Sequence, residues 1–171
     1  MEIVIRPFRP EDMDACYFLD RRCYPPEMQI EYGRMYRTML DGRVTALVAA
    51  EDMEEQAAPI VGCLLLRGDE ELGELTLLAL TVDPDFRRLG LARRLLDWAV
   101  RLGEGSGFRV LCAAEETPTA ELRGFLEAVG FRSTGERMEG FRCGAQRPRW
   151  ERFLGGGDTG EAGELSEGNG S

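Results

Sequence analysis

Histidine is absent from the 171 residues, and so is lysine: all 21 basic residues are arginine. Without an imidazole the chain cannot build a Ser-His-Asp or Cys-His nucleophilic site, a paired-histidine zinc site or a histidine general base. Its chemistry is left to carboxylates, tyrosines, cysteines, backbone groups and water. Asparagine occurs once, at Asn169; with arginine displacing lysine, this is the composition expected of a GC-rich bacterial genome. The five cysteines (Cys16, Cys23, Cys63, Cys112, Cys143) form no C-x-x-C pair. They are expected to be free, mostly buried thiols, and no metal is expected. No apolar run approaches the roughly 20 residues of a membrane span; "IVGCLLL" and "LTLLAL" are strand-sized. The N-terminal "MEIVIRPFRPED" lacks the basic start and apolar centre of a signal peptide. The expectation is a cytoplasmic protein with no membrane partner. A net charge of −10 argues against a nucleic-acid partner, which calls for a basic footprint.

What is present alternates between strand and helix patterns. "EIVIRPF" (2–8) reads as a first strand, ended by prolines. A helix is expected over 10–23, with acids in its first turn and arginines in its last, and a second over roughly 28–40. The second carries Tyr32, Met35, Tyr36, Met39 and Leu40 on one stripe. Strands follow at 44–50 and 60–66, joined by the acidic "EDMEEQAAP". The nearly continuous apolar run 74–82 suits a strand covered on both faces. The helix after it places Leu91, Leu95, Trp98, Ala99 and Leu102 on one side. A strand at 109–114, a helix from Thr117 or Thr119 to Val129 with Gly130 as C-cap, and two antiparallel strands within 131–154 complete the pattern. Residues 155–171, with seven glycines, four acids and no base, cannot bury a core and are expected to be a disordered tail to a domain of residues 1–154. The order β-α-α-β-β-β-α-β-α-β-β predicts an α/β fold: a mixed, mostly antiparallel central sheet with helices on both faces.

The most informative stretch is "LTVDPDFRRLGLARRLLDWA" (80–99), where a strand passes into a helix through Arg-x-x-Gly-x-Ala. A helix N-terminus presents unpaired N–H groups and the positive end of the macrodipole. Gly90 and Ala92 let a bulky anion approach those groups, and Arg87 or Arg88 adds a charge-assisted contact. A pyrophosphate cradle results. The competing reading is a tight connection in which glycine serves geometry alone.

The string resembles the hallmark of the GNAT superfamily of acetyl-CoA-dependent N-acetyltransferases: a strand ending in V-x-P, then [Q/R]-x-x-G-x-[G/A], here Arg87, Gly90 and Ala92. Downstream, "TAELRGFLEAVGF" (119–131) keeps the spacing of the family's N-x-x-A-x-x-L-Y-x-x-x-G-F. The resemblance implies transfer of an acetyl group from acetyl-CoA to a primary amine, on a small molecule or a peptide, by direct attack in a ternary complex. A non-catalytic acyl-CoA-binding or sensing module is the alternative. It implies pantetheine along 74–82, pairing near Leu80 and Val82, with pyrophosphate on the N–H groups of Arg88, Gly90, Leu91, Ala92 and Arg93. Thr119 stands where the family has asparagine, and Leu126 where it often has a tyrosine acid. Glu74 is the first candidate for the general base, with Thr76 two residues along the same face, and Glu115 is the second. The protein would act as a monomer or homodimer.

Overall fold

The computed structural model describes residues 2–52 and 59–155. Most of the acidic connection (53–58), and residues 156–171 of the expected tail, lie outside the described residues. Among the described residues the elements follow the expected order: β1 (Ile3–Pro7), α1 (Met13–Cys23), α2 (Tyr32–Met39), β2 (Val44–Glu51), β3 (Ile60–Asp69), β4 (Glu74–Val82), α3 (Leu91–Gly105), β5 (Val110–Ala114), α4 (Ala120–Ala128), β6 (Arg132–Glu139) and β7 (Gln146–Phe153). None of these helices is long and apolar enough to cross a membrane.

One sheet takes all seven strands in the order β1-β2-β3-β4-β5-β7-β6. Every neighbouring pair is antiparallel except β4 and β5. That exception follows from connectivity: α3 carries the chain from the end of β4 back to the start of β5, which only a parallel pair allows.

Because side chains alternate across the pleat, the apolar strands serve two cores at once. In β2, Leu47 and Ala49 join the core under α3 and α4, while Val48 and Ala50 join the core under α1 and α2. The stripe expected on α3 needs correction. Leu91, Leu95 and Ala99 are buried, but Leu96, Val100 and Gly103 complete the buried face, and Trp98 remains 38% exposed. At 100° per residue Trp98 lies on the far margin of that face, where the Arg101 guanidinium covers its ring at 4.7 Å. Gly103 is there for proximity, since a Cβ would come within 2.6 Å of the Leu154 side chain. The stripe on α2 splits in the same way: Met35 and Met39 are buried, whereas Tyr32, Tyr36 and Leu40 are exposed. Tyr32 instead reaches across to α1, edge-on to Tyr17 at 5.1 Å and donating to Asp14 at 2.8 Å.

The first strand is tied to α1 by one carboxylate. Arg6 donates to both oxygens of Asp12, at 2.7 and 2.9 Å, and the Arg9 N–H donates at 2.8 Å. Burial pushes the Asp12 pKa up, but the bonds from Arg6 and Arg9 outweigh it and hold the carboxyl below its ordinary 3.8. A carboxyl depressed by folding contributes stability above its unfolded pKa and loses it as pH falls through the folded value. Asp12→Asn should therefore lower Tm at about pH 7, and the gap to wild type should close toward about pH 2. Thermal unfolding across that range checks this; a gap independent of pH would refute the role of the charge.

Candidate active site

β4 and β5 are in register only from Glu74–Val110 to Leu77–Ala113. Beyond this, β4 continues along β3 to Val82 and β5 continues along β7 to Ala114, so the two part. The parting begins at a bulge. Leu65 pairs with Ala79 and Leu66 with Leu77, which leaves Leu78 as the extra residue. Bulges bend the strand that carries them and sharpen its twist. The Asp83 N–H bonds to the Val61 carbonyl at 2.8 Å. Alternate residues of an antiparallel strand address opposite edges, so Leu80 and Val82 turn their backbone groups into the gap.

At the open end of this gap the chain enters α3. Asp83 is buried, accepts from the Asp85 N–H at 2.9 Å, and is gripped by both nitrogens of Arg22 at 2.7 and 3.2 Å. The turn is thereby fixed to the last turn of α1. Arg88 has φ 71° and is the one non-glycine residue with positive φ among the described residues; Gly90 follows at φ 76°. No side chain caps α3. By contrast, α2 and α4 are capped by Glu31 and Thr119, which accept from Arg34 and Leu122. The N–H groups of Leu91, Ala92 and Arg93 belong to a first helical turn and have no intrahelical acceptor. A Cβ at Gly90 would meet nothing within 4 Å, and Arg87, Arg88 and Arg93 are all exposed around this open ground. Such an arrangement receives a polyanion. The cradle residues expected from the sequence thus converge.

The candidate carboxylates do not. Glu74 lies at the closed end of the β4–β5 pair, where its Oε2 accepts from Arg149 at 3.3 Å; the same Arg149 nitrogen holds Glu151 at 2.8 Å. Glu74 keeps 28% side-chain exposure. Since Leu75 and Leu77 belong to the α3 side, Glu74 and Thr76 face the α1–α2 side. Glu115, the second candidate, is not a solvated strand-end charge. It is buried, its Oε1 accepting from the Trp150 indole at 3.0 Å and its Oε2 from Arg123 at 3.2 Å. Those two donors make burial of a carboxylate tolerable. Leu126 is in the core on the α3–α4 side, at 2% exposure.

Several residues around the gap carry no signal in the sequence. The Cys23 thiol, raised in pKa by burial, donates to the Val82 carbonyl at 3.4 Å, and Arg87 Nε reaches the same oxygen at 3.3 Å. Across the gap, Arg142 in the β6–β7 turn pairs with Asp20 of α1 at 2.8 Å, both side chains nearly inaccessible. An arginine beside two glycines in an irregular stretch reads as a surface residue, and only the tertiary fold reveals its partner.

Residues 11–131 match the model of the GNAT acetyltransferase family. The chain belongs to this family. Solved relatives share the fold over 90% of the chain. The ribosomal-protein-S18-alanine N-acetyltransferase of Escherichia coli superposes with TM-score 0.73 at 18% identity, covering 94% of its own length. The PaiA N-acetyltransferase of Thermoplasma acidophilum, solved with coenzyme A, gives 0.71 at 16% identity and 99% coverage. A GNAT acetyltransferase of Staphylococcus aureus gives 0.72 at 16% identity and 99% coverage. No curated protein matches the sequence at a significant level.

The two left-handed residues of this GNAT cradle make opposite predictions. A left-handed non-glycine residue costs roughly 1–2 kcal/mol, so Gly90→Ala should destabilise by about 1 kcal/mol. Arg88→Gly relieves the same strain but adds roughly 0.5–1 kcal/mol of unfolded-state entropy. It should leave stability equal to or slightly above wild type. Urea titration of both variants decides; a clear loss in Arg88→Gly would show that its guanidinium, not its backbone, governs the turn.

Proposed function

We propose that this protein moves the acetyl group of acetyl-CoA to a primary amine, by direct attack within a ternary complex. The observation that carries the reading is an uncapped helix N-terminus opening onto the free edge of β4. The GNAT family is one of acetyltransferases, and the PaiA relative was solved with coenzyme A. Bound in the gap, acetyl-CoA supplies an acyl thioester that a neutral amine can open. The chain's own groups do the rest. The N–H groups from Gly90 to Arg93, with Arg87, Arg88 and Arg93, hold the pyrophosphate. Leu80 and Val82 offer backbone partners to pantetheine, and backbone N–H groups of the central strand polarise the thioester carbonyl. Thr119 uses its oxygen as a cap and keeps a hydroxyl proton to donate.

For proton removal we favour Glu74, working through water, over Glu115. Glu74 is partly exposed on the α1–α2 side of the sheet, its Oε1 meeting, among the described residues, only the Cys112 thiol at 3.9 Å, whereas Glu115 is buried with both oxygens held by Trp150 and Arg123. No side-chain acid is needed for the leaving thiol, whose pKa of roughly 8.5 lets it depart with solvent help. The acceptor is an amine on a peptide or a small molecule, in keeping with relatives that include a ribosomal-protein alanine acetyltransferase and a spermidine acetyltransferase. We place the reaction in the cytoplasm.

Gly90→Glu puts bulk and negative charge in the cradle and should weaken coenzyme A binding by about 100-fold or more by calorimetry. Ala92→Glu, which introduces no left-handed strain, should do the same; unchanged affinity in both would falsify the site. Glu74→Gln should lower turnover at neutral pH by about 100-fold, the size of a lost general base. High pH should restore part of it, because an amine of pKa about 10.4 then deprotonates unaided. If Glu74→Gln keeps its rate across the pH range while Glu115→Gln does not, the base is Glu115. Coenzyme A binding without thiol release, against any amine in a broad panel, would identify an acyl-CoA-binding module instead.

A further inference from the structure

We propose that Arg142 is a positioning residue: a strap across the β4–β5 gap that fixes its width and thereby where the acceptor amine meets the thioester. The functional part rests on reading the gap as the thioester slot. The strap itself is a matter of contacts. On one side, α1 is fastened to the end of β4, through Arg22 on Asp83 at 2.7 Å and Cys23 on the Val82 carbonyl at 3.4 Å. On the other, the β6–β7 turn is fastened to the end of β5. There the Arg142 N–H donates to the Glu116 carboxylate at 3.0 Å, and the neighbouring Glu115 N–H bonds to the Pro148 carbonyl at 2.9 Å. The two sides meet in one side chain. The Arg142 guanidinium pairs with Asp20 at 2.8 Å, donates to the Met28 carbonyl at 3.2 Å, and stacks on the Tyr24 ring at 3.4 Å.

Arg34 of α2 secures the same turn, donating to the Phe141 carbonyl and, at 3.4 Å, to that of Arg142. The α1–α2 connection and the β6–β7 turn therefore form one wall along the α1–α2 side of the gap. Stability alone is a poor account of the pair at its centre. Burying two charges exacts a desolvation penalty that a hydrophobic replacement avoids, often with no loss of stability. A planar fork held by a carboxylate, a carbonyl and a ring instead fixes a distance and an orientation. A wall that loses this fixed distance no longer fits the acceptor that rests against it, so acceptor binding is the first property to weaken.

The test is Asp20→Asn combined with Arg142→Met. The asparagine oxygen can still accept from the Ile30 N–H, which now bonds to Asp20 at 3.1 Å, and methionine can still pack on Tyr24. Expected are an unchanged Tm, a coenzyme A Kd within about threefold of wild type, and an acceptor KM raised about tenfold or more with a smaller change in kcat. Amide exchange at 78–82 and 114–117 should accelerate about tenfold while the rest of the sheet keeps its protection. Arg142→Lys, which keeps the charge but not the fork, should show the same KM shift if the double variant fails to fold. Unchanged exchange and acceptor KM in a folded variant would overturn the strap. A loss of activity in proportion to a general fall in Tm and protection would overturn it too, leaving only a structural pair. If wild type fails to bind coenzyme A, the slot reading falls, while the exchange measurement still decides whether Arg142 holds the gap.

Discussion

After the bulge at Leu78, β4 has no strand along one edge, and backbone groups left without partners are costly wherever water is excluded. Much around the gap can be read as a response to that constraint. Two side chains from different elements, Arg87 and Cys23, converge on the Val82 carbonyl, standing in for the ladder bond that β5 no longer supplies. A ligand with its own amides can replace such stand-ins without leaving the edge unpaired. A bulge thus converts a sheet that could have closed into one whose β4 edge is open beyond Leu78. The same bulge explains why the carboxylates are apart. Glu74 belongs to the stretch still zipped to β5, whereas Glu115 comes after the parting and is drawn onto the α4 side by Trp150 and Arg123.

The fold was legible because its strongest signals are local. Apolar runs of strand length, helices punctuated by proline and glycine, and the passage through Gly90 each reflect a constraint on a few adjacent residues. The start of α3 at Gly90 was legible for the same reason, since a helix N-terminus and its glycine are contiguous in the chain. What stayed hidden depends on partners far apart in sequence. The two sides of Trp98 look alike until Leu96 and Gly103 establish which way α3 is rotated, with Gly103 pressed against Leu154. Glu115 reads as a surface charge until an indole 35 residues later is placed beside it. Asp20 and Arg142 are 122 residues apart; no periodicity links them, and each alone resembles an ordinary surface charge.

Composition matters to this architecture in a way that a tally of charges does not convey. Three ties between elements use the arginine fork: Arg6 on both oxygens of Asp12, Arg22 on both oxygens of Asp83, and Arg142 shared between a carboxylate, a carbonyl and a ring. A lysine ammonium delivers charge without a plane and could not fix orientation in this way. The bias against lysine and the geometry of these joints are therefore mutually compatible, whatever the origin of the bias.

The two ends of the gap differ in kind, and the difference bears on how the site would divide its work. The cradle end is exposed, built from backbone N–H groups and mobile arginine side chains, and suited to a ligand whose charge dominates recognition. The Arg142 side is buried, its guanidinium held by the Asp20 carboxylate, the Met28 carbonyl and the Tyr24 ring. On the proposed reading, affinity for the acyl donor and selection of the acceptor fall to different parts of one slot, joined through α1: Arg22 in its last turn holds the turn into α3, and Asp20, two residues earlier, holds Arg142. Asp20 and Arg22 lie two residues apart on one helix, so the two ends of the gap share a single rigid reference.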